Sequence, residues 1–121
     1  MTWRLALADD DATLRRLLRM LFERDGRFEV VGEAADGVEA LDLLAAVEAD
    51  VLLLDLAMPR KDGLEVLTEL DRRPRPRVVV LTGFVEPALR RQVLDLGAHA
   101  CLEKGADFAS LTNAVAGVAT A

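Results

Sequence analysis

VLLLD, residues 51 to 55, sets four aliphatic side chains in a row and then a carboxylate. A half-buried strand alternates apolar and polar residues, because only one of its faces meets the core. A short unbroken apolar run fits a strand covered on both faces, as parallel strands flanked by helices are. Outward from this run the pattern recurs. WRLALA (3–8), FEVV (28–31), RVVVLT (77–82) and HACL (99–102) are further strand-like segments. Between them lie helical stripes: Leu14, Leu17, Leu18 and Leu21; Val38, Leu41 and Ala45; Leu64, Leu67 and Leu70; Leu89, Val93 and Leu96; and Phe108, Leu111, Val115 and Val118. Strict alternation of five strands with five helices predicts an α/β fold, a parallel sheet with helices on both faces.

The totals narrow the function classes. A chain of 121 residues suits one domain around a single core. Its 52% hydrophobic and 30% charged residues exclude a disordered polymer. The formal net charge of −6 argues against nucleic acid or an anionic membrane as partner. Cys101 is the single cysteine, so no internal disulfide forms, which fits a reducing compartment. No apolar stretch approaches the length of a membrane span, and no signal-peptide pattern opens the chain, so a cytoplasmic location is expected.

Two segments echo each other: DGVEALDLL (36–44) and DGLEVLTEL (62–70). Shared helix-start chemistry accounts for this, with Asp36 and Asp62 as N-caps and Glu39 and Glu65 as capping-box partners three residues on. The basic loop DRRPRPR (71–77) reads as a solvated connection before the fourth strand.

In open parallel sheets, ligands sit beyond the carboxyl ends of the strands. There the sequence places Asp9 and Asp10 after the first strand, Asp55 after the third, Thr82 at the end of the fourth and Lys104 after the fifth. Asp11 follows the pair and is the best cap for a helix opening at Ala12. Converging carboxylates repel one another unless a cation holds them or one is protonated. Their oxygens are hard ligands suited to Mg²⁺ or Mn²⁺, whereas one His and one Cys offer no zinc spacing. A cation, a lysine and a hydroxyl around one carboxylate form an electrostatic cradle for phosphoryl transfer to that carboxylate.

These residues resemble the bacterial response-regulator receiver family, and the resemblance covers the whole chain, 1–121, as one receiver domain. LADDDATLRRLL (7–18) is similar to the family's acidic pair and first helix. VLLLDLAMPRKDGLEVL (51–67) is similar to its phosphorylation-site segment, VVVLTG (78–83) carries its switch threonine, and CLEK (101–104) its lysine. The resemblance implies a flavodoxin-like doubly wound (βα)5 fold with strand order 2-1-3-4-5. It implies Asp55 as phosphoacceptor, and Asp9 and Asp10 as the acidic pair binding Mg²⁺, for which Mn²⁺ can substitute. The pair is Asp9–Asp10 rather than Asp10–Asp11 because the spacing to Arg15 and Arg16 fits the family's first helix. The backbone carbonyl of Ala57 would complete the protein ligands. Thr82 and Lys104 would contact the phosphoryl group.

By the same resemblance the chain is a two-component signalling switch rather than an enzyme acting on a separate substrate, although it would promote its own phosphorylation and dephosphorylation. The donor would be a sensor histidine kinase or phosphotransfer protein. The output would be a downstream protein target or an output domain outside this sequence, reached through the face of helix 4, strand 5 and helix 5. The alternative is a receiver-like binding module that works without phosphorylation. A phosphatase using an aspartyl phosphate would need a second acid/base carboxylate at the position of Ala57.

Some positions depart from the family pattern. Cys101 stands where receivers carry an aromatic residue, and Gly105 where many carry proline after the lysine. Cys101 reads as a buried, inert thiol. Phe84 leaves two readings open: a ring that limits water access to the site, or a ring packed on the fourth helix. Arg15, Arg16 and Arg19 form either a docking face for a phosphoryl donor or a solvated helix face.

Overall fold

Five β-α units follow one another in the computed structural model, which describes residues 2–121. They are β1 (Trp3–Ala8), α1 (Ala12–Asp25), β2 (Phe28–Ala34), α2 (Gly37–Ala46), β3 (Val51–Leu54), α3 (Gly63–Leu70), β4 (Arg77–Thr82), α4 (Pro87–Asp95), β5 (Ala100–Glu103) and α5 (Phe108–Thr120). All strands pair in parallel, in the order β2-β1-β3-β4-β5. The expected flavodoxin-like architecture is therefore the one observed.

The alternation of side chains across the sheet divides the core into two layers. Ala6, Leu52, Leu54, Val78 and Val80 pack with Ala40 of α2, Leu67 of α3 and Val93 of α4. Leu5, Leu7, Val51, Leu53 and Val79 pack with Leu18 and Phe22 of α1 and Leu111 and Val115 of α5. The four residues of β3 supply both layers in turn and are all buried, which is why the run is apolar throughout. Each buried leucine contributes about 1.5–3 kcal/mol of transfer free energy.

Helix starts follow the expected chemistry, with one difference. Asp11 accepts hydrogen bonds from the N–H groups of Thr13 and Leu14 at 3.0 and 3.1 Å. Asp62 and Glu65 form the complete reciprocal capping box. Asp36 accepts from the Glu39 N–H, but Glu39 reaches back to the N–H of Ala35 rather than to that of Asp36. The two caps differ in backbone, with φ −156° at Asp36 and −85° at Asp62, so their N–H groups point in different directions.

Two segments differ in extent or depth from their sequence reading, and a third agrees with it. β2 runs on to Ala34, and its register against β1 slips once: Leu5 pairs with Val30 but Ala6 with Gly32. The extra residue, Val31, is a bulge that sets Glu33 opposite Leu7. On α1, Leu17 is exposed and Phe22 is the deeply buried member, set edge-on to Phe28 with ring centres 5.0 Å apart. The loop 71–77 is mostly exposed, as expected, with Arg75 paired to Asp50 at 3.4 Å. Among the described residues, no helix is long and apolar enough to cross a membrane.

Candidate functional site

The sheet extends its hydrogen bonding one residue past the ends of its central strands. The Asp9 N–H donates to the carbonyl of Ala34 at 3.0 Å, and the Asp55 N–H to the carbonyl of Ala8 at 2.9 Å. These bonds hold Asp9 and Asp55 beside each other at one edge of the sheet. Both are buried, at 3% and 4% exposure, whereas Asp10 between Asp9 and α1 is exposed. One carboxylate oxygen from each of the three lies within 4.8 Å of the others.

Lys104 enters from the loop after β5. Its backbone N–H donates to the carbonyl of Thr82 at 2.7 Å, which docks that loop on the end of β4. Its Nζ stands 3.0 Å from Asp9 Oδ2 and 3.3 Å from Asp55 Oδ1. The ammonium is therefore shared between two buried carboxylates. Burial favours the neutral amine, but the hydrogen bond to Asp9 and the charges of Asp55 and Asp9 outweigh it and hold Lys104 above its ordinary value. Asp55 is pushed up from the usual carboxylate range, first by loss of hydration and then by the charge of Asp9, with Lys104 and the Ala57 N–H pulling the other way.

The sequence-predicted residues thus fall in one place. Asp9, Asp10, Asp55 and Lys104 converge on a single pocket. Thr82 ends β4 on the same edge, half-buried, and Ala57 lies in the loop after β3, its backbone N–H lowering the Asp55 carboxyl against the upward pull of burial. Asp11 serves the helix, and its own N–H donates to Asp9 Oδ1 at 2.9 Å. Of three adjacent aspartates, two face the pocket and one caps α1. One ammonium among three carboxylates leaves the pocket net negative. Its donors are hard oxygens, so the residues fit a small divalent cation such as Mg²⁺.

Other residues shape the pocket without a signal in the pattern of polar residues. A Cβ on Gly63 would lie 2.5 Å from the carbonyl oxygen of Asp55, and one on Gly37 would lie 2.3 Å from that of Lys61. Both glycines permit close backbone approach around the loop between β3 and α3. The echoed Asp-Gly pairs carried this information, beyond their capping role. Arg60, at φ 63°, pairs with Asp36 at 2.8 Å and ties that loop to the start of α2. Arg15 and Arg19 both pair with Glu33 of β2, at 2.9 and 2.8 Å, so neither presents a free solvated cation.

Cys101 is buried, and loss of hydration raises its thiol above the ordinary value, opposed by Arg90. Phe84 is 66% exposed, so it is not packed into the core beneath α4.

Comparison with known proteins agrees with this geometry. The family model "Response regulator receiver domain" matches residues 5–116. The chain is 35% identical over 112 residues to the transcriptional regulatory protein PdtaR of Mycobacterium tuberculosis, covering 93% of this chain and 54% of that protein. It therefore spans about half the length of that relative. Among solved structures, the signal receiver domain of NarL from Mycobacterium tuberculosis superposes with a TM-score of 0.92 at 34% identity, covering 98% of this chain and 97% of that one. The isolated REC domain of RcsB from Salmonella enterica serovar Typhimurium, in the presence of phosphomimetic BeF3⁻, gives 0.85 at 28% identity, covering 96% and 87%. By family match, relatives and fold, this chain belongs to the response regulator receiver domains of two-component systems.

Proposed function

We propose that the chain is a phosphorylation-activated switch that accepts a phosphoryl group on Asp55 from the phosphohistidine of a sensor kinase or phosphotransfer protein. The observation that carries this reading is the shared ammonium: Lys104 stands between buried Asp55 and buried Asp9, with Asp10 completing the carboxylate cluster. Asp9, Asp10, Asp55 and the Ala57 carbonyl would hold Mg²⁺. When bound, the cation offsets the charge between the Asp55 carboxylate and the incoming phosphoryl oxygens.

The remaining steps belong to the chain's own groups. A carboxylate oxygen of Asp55 forms the new O–P bond, in line with the breaking N–P bond of the donor histidine, and the histidine nitrogen keeps the electron pair and takes a proton. Lys104 turns from a carboxylate partner into a partner of the phosphoryl oxygens. The Thr82 hydroxyl donates to another of them. The modified side chain carries close to two negative charges where one stood, which supplies the differential contact needed to shift a two-state equilibrium in the loops after β4 and β5. Those loops lead to the face formed by α4, β5 and α5, the proposed contact with a protein target or output domain. The switch would also limit its own lifetime, since the same groups serve hydrolysis. RcsB's isolated REC domain, recorded with a phosphomimetic, supports the chemistry by similarity.

Fluorine NMR with beryllofluoride and Mg²⁺ tests the reading. Bound fluoride resonances in the wild type, absent in Asp55→Asn, are expected. No bound resonances, while amide shifts show that Mg²⁺ binds, would leave a phosphorylation-independent binding module instead.

A further inference from the structure

We infer that Arg15 is a positioning residue for the acidic pair, holding the peptide between Asp9 and Asp10, and that Glu33 on β2 sets Arg15 for this task. The inference rests on the reading of Asp9 and Asp10 as cation ligands.

Asp9 has no loose polar atom. Its N–H is bonded to Ala34, its Oδ1 to the Asp11 N–H and its Oδ2 to Lys104, and its carbonyl accepts from Arg15 Nη1 at 2.5 Å. That carbonyl belongs to the planar peptide joining Asp9 to Asp10. Fixing it fixes the direction in which the exposed Asp10 leaves the strand. Asp10 has no burial to orient it, so the peptide is the remaining lever.

Arg15 is itself held. Its Nε donates to Glu33 Oε1 at 2.9 Å, the other oxygen of Glu33 accepts from Arg19 at 2.8 Å, and Arg19 is braced by Glu23 at 3.1 Å. The chain of contacts starts on β2, where the bulge at Val31 places Glu33 opposite Leu7. Side-chain exposures of 17% for Arg15 and 27% for Glu33 set this pair apart from freely solvated ones. Burial by itself would raise the Glu33 carboxyl, but the hydrogen bonds from Arg19 and Arg15 reverse this and hold it below its ordinary value.

Two effects of Arg15 on a cation at the pocket oppose each other. Its positive charge repels the cation, and its hydrogen bond orders the ligands. The charge is matched by Glu33 in direct contact, and the field of such a pair falls off faster than that of a single charge. The guanidinium also spends its donor on a neutral carbonyl, not on a ligand carboxylate. Ordering therefore wins, and removing Arg15 weakens cation binding. Outer partners of metal ligands commonly change affinity by tenfold or more, and the expected loss here is about tenfold.

Mg²⁺ titrations followed by the amide resonances of Asp10 and Asp11, with thermal unfolding in EDTA as a fold control, test this on wild type, Arg15→Gln, Arg15→Lys and Glu33→Gln. Arg15→Gln should bind Mg²⁺ about tenfold more weakly. Arg15→Lys should not restore affinity, because an ammonium lacks the planar fork that serves the carbonyl and Glu33 together. Glu33→Gln, nearly isosteric, should fall between and guards against a folding defect in the arginine variants. Affinity unchanged or tightened in Arg15→Gln and Glu33→Gln would overturn the positioning role, tightening being the mark of plain repulsion. A wild type that binds no Mg²⁺ would overturn the proposed function, and this inference with it.

Discussion

Replacing Asp55 by asparagine should stabilise the cation-free protein. With oxygens within 4.8 Å of each other and an effective dielectric of about 20, two carboxylates repel by at least about 3.5 kcal/mol. Asp55 also meets Lys104 at 3.3 Å, worth about 5 kcal/mol in the opposite sense on the same scale. Asp10 adds repulsion that water screens. These terms nearly cancel, so burial decides the sign: at 4% exposure Asp55 has lost most of its hydration, and the folded state disfavours its charged form. Asparagine keeps the shape, removes the charge and leaves Lys104 its contact with Asp9 at 3.0 Å. The expected gain is about 1–2 kcal/mol, or roughly 4–8 °C in Tm for a domain of this size. Thermal unfolding at pH 7 in EDTA measures it. Mg²⁺ should erase the difference, because a cation at ten times its Kd stabilises the wild type by about 1.4 kcal/mol and the ligand-deficient variant by less. Asp55→Asn less stable than wild type in EDTA would refute the reasoning, since Lys104 would then outweigh burial and repulsion together.

Three further outcomes follow from the geometry. Gly63→Ala adds a Cβ 2.5 Å from the Asp55 carbonyl, where only backbone can yield; it should cost about 1–3 kcal/mol by urea unfolding, despite alanine's higher helix propensity, and a loss below about 0.5 kcal/mol would count against the close approach. His99 accepts the Val78 N–H at 3.2 Å through Nδ1, and burial, then the charge of Arg77, hold its ring below 6.5. Its stabilising contribution is therefore full above the unfolded value and lost as pH falls through the folded one; the urea midpoint should drop from pH 7 towards pH 5 by more in wild type than in His99→Gln. The Cys101 thiol, buried and held above its ordinary value by lost hydration, should react with iodoacetamide far more slowly in native protein than in urea, and equal rates would contradict its burial.

The fold was legible because β3 and β4 are apolar runs whose composition follows directly from burial on both faces. β2 was legible only in part. Its second half, GEA, lacks a continuous apolar run, and pairing with β1 across a bulge makes it a strand. On α1 the heptad-like spacing of Leu14, Leu17, Leu18 and Leu21 misjudged depth, since a helix of 3.6 residues per turn carries Leu17 outward and Phe22 inward. The site was legible because Asp9, Asp55, Thr82 and Lys104 each stand at or just after a strand end, and parallel strands end on one edge. Arg15 and Glu33 were not legible as a pair, because their meeting depends on the register slip between β1 and β2. Gly37 and Gly63 were visible as an echo, but the backbone oxygens they make room for come from a loop that local sequence does not locate.

The most direct measurement is intact mass after incubation with acetyl phosphate and Mg²⁺, beside Asp55→Asn. The account predicts one added phosphoryl group in the wild type, absent with EDTA and absent in the variant. An adduct that persists in Asp55→Asn, or forms equally well in EDTA, would contradict the assignment of Asp55 as phosphoacceptor in a cation-dependent pocket.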